Sequence, residues 1–168
     1  MIENENGKTE YPIIDVHTHV FPEKVAAKAV AATGEYYGVQ MYRSGTVDDL
    51  LESGSRIGVT KYIIHSSATI ARQVRAINDY IFSVQASHPE LIGFATLHPG
   101  LEDVQGEVDR IIGMGLRGIK LHPEFQNFAI DDEDMIPIYK AAEGRLPILF
   151  HMGDANRDSS SPVRLARI

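Results

Sequence analysis

From Tyr11 onward the chain alternates short apolar, β-branched runs with longer amphipathic stretches, and that alternation leaves few folds open. Residues 12–16, 61–66, 91–97, 116–121 and 146–150 read as strands. Between them, residues 23–32, 47–57, 70–87, 101–114 and 131–143 read as helices. Val74, Ile77, Ile81 and Val84 recur at helical spacing, Thr46 stands as an N-cap ahead of Asp48 and Asp49, and Gly115 suits the residue after a helix end. Strands in regular alternation with helices predict βαβ units and a parallel sheet, and near-continuous apolar strands suit a sheet covered on both faces. The expected class is α/β, of the (β/α)8 barrel type, stopping after about five strands.

Other features narrow what such a chain does. Its 168 residues suit one domain, placed at residues 12–168 behind a polar tail at residues 1–11. A net charge of −7 disfavours non-specific binding to nucleic acid. The absence of cysteine removes disulfides and thiolate metal sites, leaving His, carboxylate and Lys as ligands. No apolar run approaches the roughly 20 residues that span a bilayer. Residues 1–10 lack the basic-then-apolar pattern of a secretory leader, so the reading is a cytoplasmic protein.

Six of the seven histidines fall at, or just past, the C-terminal end of an expected strand: His17, His19, His65, His98, His122 and His151. The seventh, His88, lies in a helix-to-strand turn. In parallel α/β folds ligands bind outside the carboxyl ends of the strands, so the set reads as a site. His17 and His19 lie two apart and share a strand face, their roots roughly 6–7 Å apart at about 3.3 Å per residue. Two imidazoles so placed can meet on one zinc, with Asp15 on the same face to orient one of them. The alternative is a pair of satisfied polar residues at a strand end. His151 would be a third nitrogen ligand, or a residue hydrogen-bonded into the loop that follows, with Asp154 nearby.

Lys120 and His122 share a face of the fourth strand with Gly118. A lysine inside a barrel mouth is costly unless paired or employed. It would be a cation for an anionic substrate, a carbamylated bridge between two metals, or the partner of a carboxylate such as Asp15 or Glu124. His65, His98 and His122 are candidates for substrate contact, or strand-end capping residues. Thr69, Thr96, Glu124 and Gln126 lie near the same end with no spacing to promote them. The loop with Tyr36, Tyr37, Met41 and Tyr42 reads equally as a lid or as a packed loop.

Three segments resemble a known family. Ile14-Asp15-Val16-His17-Thr18-His19-Val20-Phe21-Pro22 resembles the opening of the amidohydrolase superfamily, in its amidohydrolase-related branch, which also holds metal-dependent decarboxylases. Gly115-Leu116-Arg117-Gly118-Ile119-Lys120-Leu121-His122-Pro123 resembles that branch's fourth strand, and Pro147-Ile148-Leu149-Phe150-His151-Met152-Gly153 its fifth. The resemblance runs from about Pro12 to the last residue. It implies a distorted (β/α)8 barrel binding zinc, or manganese, with His17 and His19 as the first-strand pair and His151 as the fifth-strand ligand. Lys120 sits where some members carry a carbamylated bridging lysine, while other members hold one metal. The family also uses a His after the sixth strand and an Asp after the eighth. Neither strand is in this chain, which therefore reads as the N-terminal portion of a barrel with the catalytic residues unassigned.

The expected activity is hydrolysis, a metal-activated water attacking a C–N or C–O bond of a small substrate. The alternatives are non-oxidative decarboxylation at the same metal, and a metal-binding fragment without activity that pairs as a homo-oligomer to cover its open edges. Neither a nucleic acid nor a membrane is an expected partner.

Overall fold

The computed structural model describes residues 2–3, 9–154 and 156–168. Five strands alternate with helices as the sequence pattern requires: β3 (Ile13–His19), β4 (Val59–His65), β5 (Leu91–Thr96), β6 (Gly118–Leu121) and β7 (Ile148–Phe150). They are parallel and hydrogen-bonded in chain order, each strand beside its successor, which is the arrangement that repeated βα crossovers produce. Among the described residues, no helix is long and apolar enough to cross a membrane. The chain divides into two compact units, Met1–Ile64 with Val84–Ile92, and His65–Ser83 with Gly93–Ile168.

The first unit begins with two short strands, β1 (Ile2–Glu3) and β2 (Thr9–Glu10), paired antiparallel within the stretch expected to be a polar tail. Residues 1 and 4–8 of that expected tail lie outside the described residues. Strand β3 reaches His19, so both histidines of its motif are strand residues and not part of the loop after it. Its threonine, Thr18, is buried and donates from Oγ1 to the Ile63 carbonyl at 2.8 Å, and Thr60 Oγ1 donates to the Ile13 carbonyl at 3.1 Å. Helix α1 (Glu23–Tyr37) continues past the end expected at Ala32, running through Gly34. Glycine weakens a helix interior, which is why the pattern suggested a break there. The chain tolerates it because the position is buried, and a Cβ at Gly34 would lie 2.9 Å from the Val39 carbonyl oxygen. Helix α2 (Val47–Ser55) starts where expected, with Thr46 Oγ1 accepting from the Asp49 N–H.

The second unit holds the denser packing. Around β6 the register sets Phe94 beside Gly118, Thr96 beside Lys120, Ile119 beside Ile148 and Leu121 beside Phe150. Ile119 and Leu121 are fully buried, and each such side chain stabilises by roughly 1.5–3 kcal/mol. Gly118 is required by close approach, since a Cβ there would meet the Phe94 ring at 2.4 Å. Helices α3 (Val74–Ser87) and α4 (Val104–Gly113) are bound to a strand end through a buried polar chain. Glu107 is fully buried and pairs with Arg110, while also accepting from Asn78 Nδ2 at 2.8 Å. Asn78 in turn accepts from the Thr96 N–H and donates to the Thr96 carbonyl, so the last residue of β5 is fixed from both sides.

The stretch expected as one helix over residues 131–143 is a 3₁₀ turn, Glu133–Met135, followed by α6 (Ile136–Ala142). Pro137 explains the division, because proline is accommodated in a first helical turn and not inside a helix. One short helix, α5 (Pro123–Gln126), opened by proline, was not foreseen. Another, α7 (Pro162–Leu165), stands where an apolar-periodic run begins at Pro162, and is held by Arg164 and Arg167 on the Asp131 carboxylate. Those two guanidinium groups hold Asp131 down at about 2.

Candidate functional site

Strand alternation puts His17 and His19 on one face of β3, and their ring centroids are 5.6 Å apart. Asp15 is committed to the backbone, its Oδ1 accepting from the His17 N–H at 3.2 Å. His17 is exposed and His19 half-buried, so the pair grades from solvent into the protein. His65, the last residue of β4, is fully buried and belongs to the second unit.

At the ends of β6 and β7 a second group assembles. His122 and His151 stack face to face with centroids 4.0 Å apart and planes 6° from parallel, and Phe125 lies on His122 at 3.9 Å. Lys120 is fully buried, and desolvation lowers its amine to about 8. His151 is lowered as well, chiefly by burial and then by the Lys120 charge, against a raising influence from Glu124 and Asp154. A lowered His151 is a neutral imidazole at pH 7, the form able to donate a nitrogen lone pair. Gln126, buried in α5, holds this end in place. Its Nε2 donates to the carbonyls of Ala68 and Leu97, and its Oε1 accepts from the His122 N–H at 2.8 Å. Neither Gln126 nor Glu124 carried a spacing that would single it out; both matter because a four-residue helix turns them back under the strand ends.

The remaining histidines do local work. His98 Nδ1 accepts from the Gly100 N–H at 3.0 Å, and burial lowers its pKa against a hydrogen bond to the Thr69 backbone. His88 Nδ1 lies 3.1 Å from the Val84 carbonyl in the turn after α3.

No protein-family profile matches the chain, and no curated protein matches it by sequence. Solved structures do match by fold, two among them as follows. One is an amidohydrolase, by assignment, from Staphylococcus aureus: TM-score 0.64, 19% identity, covering 88% of this chain and 50% of its own. The other is a 2,6-dihydroxybenzoate decarboxylase complexed with 2,6-dihydroxybenzoate: TM-score 0.62, 20% identity, covering 89% of this chain and 53% of its own. The chain thus spans about half the length of the structures it matches. At such identities the likeness carries the fold alone: this chain folds like about half of each of those two structures.

Proposed function

We propose that this chain carries the metal-binding end of a metal-dependent hydrolase of the amidohydrolase type, acting on a small molecule. The observation that carries the reading is the pairing of His17 and His19 on one face of β3, their ring centroids 5.6 Å apart. The donor set fits a divalent ion: imidazoles and no thiolate suit zinc, with manganese the alternative. His17 and His19 would hold it, with His151 a further nitrogen ligand and Lys120 a bridge if carbamylated. A bound divalent ion supplies Lewis acidity, lowering the pKa of water and polarising a carbonyl. The chain's own residues prepare the rest. Lys120 presents a cationic amine to an anionic substrate oxygen at neutral pH and can release its proton near pH 8. Gln126 fixes the backbone from which His122 projects, and His98 and His122 are the polar side chains offered to a substrate.

Zinc titration by calorimetry tests the assignment. His17→Ala/His19→Ala should weaken zinc binding by more than about 100-fold, beyond the 10–100-fold that loss of a supporting contact costs. His88→Ala, in the α3 turn, should bind like the wild type. Wild-type zinc binding in the double variant would end the metal-centre reading.

Decarboxylation is the second reading, favoured by the match to 2,6-dihydroxybenzoate decarboxylase. Turnover of amides and esters against aromatic carboxylates, each with zinc or manganese, separates the two.

A further inference from the structure

The Glu124 side chain is fully buried, and its two oxygens are treated differently. Oε1 accepts from the hydroxyls of Ser159 at 2.9 Å and Ser160 at 2.5 Å. Oε2 is buried with no hydrogen bond, and the group facing it is Nδ1 of His122, 3.5 Å away. A buried carboxylate oxygen without a donor is expensive, and a proton on the facing ring nitrogen would relieve it. There is a competitor. The Phe125 N–H approaches the same Nδ1 at 3.4 Å, and one nitrogen cannot both accept from Phe125 and donate to Glu124. The carboxylate has the stronger claim on that nitrogen, because an unfed charged acceptor costs more than one long backbone contact at the start of a short helix.

We propose that Glu124, braced by Ser159 and Ser160, is a positioning residue that keeps the His122 proton on Nδ1 and leaves Nε2 as the lone-pair nitrogen of the ring. His122 is thereby prepared as a nitrogen donor or acceptor toward a metal or substrate, a role that rests on the function proposed above. The arrangement is directional. In Glu124→Gln the two serines still require an acceptor, so the amide oxygen takes the Oε1 place. The amide NH₂ then faces His122 and donates to Nδ1, which drives the ring proton to Nε2.

Imidazole ¹⁵N NMR reads this directly on the metal-free full chain, because a protonated and a lone-pair ring nitrogen resonate far apart. The His122 signals are identified by their loss in His122→Gln. In the wild type Nδ1 should be the protonated nitrogen and Nε2 the lone-pair one; in Glu124→Gln the two should exchange. A wild-type ring with a lone pair on Nδ1 overturns the proposal, and that measurement needs no variant to fold. A Glu124→Gln chain that keeps its other histidine signals and its wild-type tautomer overturns it equally. Zinc titration of the same wild-type sample separates the two claims. Zinc binding with a lone pair on Nδ1 sinks the positioning role alone, whereas a proton on Nδ1 without zinc binding sinks the metal centre and leaves the Glu124–His122 geometry standing.

Discussion

Strands β3 and β6 look alike as sequence and behave differently as structure. Ile13, Ile14 and Val16 of β3 are each about half exposed, at 48%, 49% and 52%, whereas all four residues of β6 are buried. The sheet order gives the reason. β3 stands at the edge with one neighbour, and β6 lies between β5 and β7 with register partners on both sides. An apolar strand therefore advertises the capacity to be buried; what buries it is the number of neighbours it has. The same difference grades the chemistry: His17 on the edge strand meets solvent, while Lys120 on the inner strand is desolvated enough to lose much of its basicity.

The contrast is open to direct attack. Ile119→Ala should destabilise by about 2–5 kcal/mol in urea unfolding, and Ile14→Ala by less than about 1 kcal/mol. Equal losses would mean that β3 is covered in solution. Next comes Lys120, whose amine falls from the ordinary 10.5 to about 8 on folding. Between those pH values the unfolded chain holds a proton that the folded chain has released, so stability rises with pH across that window. Below pH 8 the folded chain carries the buried charge at a cost of about 3 kcal/mol. Lys120→Met should accordingly be the more stable protein at pH 7, with the gap closing as pH rises from 8 to 10.5. A gap independent of pH would show that the amine is not the desolvated group. The smallest effect concerns the Phe94 contact. Gly118→Ala should cost about 1–3 kcal/mol through overpacking, while Val16→Ala on the edge costs less than about 1 kcal/mol.

Much of the fold was legible because period and order survive without contacts. Five strands stand where the apolar runs predicted them, Thr46 caps α2, and Gly115 takes the left-handed conformation, φ 85°, after α4. The errors cluster where a local rule met a tertiary one. Gly34 did not end α1, Pro137 delayed α6, and Pro123 opened a helix in a stretch read as neither strand nor helix. The candidate site was legible as a set of histidines at strand ends, and far less so as groups. That His151 stacks on His122, and that Glu124 faces His122, depends on which strand ends and which turns of chain become neighbours.

By itself the sequence determined the alternation of strand and helix, the sheet they make, and the placing of imidazoles at one end of it. Those are properties of residues two, four or seven apart, and local periodicity writes them into the chain. Only the tertiary structure decided which strand is covered, which imidazoles meet, and which nitrogen of His122 faces a carboxylate. Those outcomes turn on desolvation and on distances of a few ångströms between residues far apart in sequence, such as Glu124 and Ser160, and no local pattern encodes them.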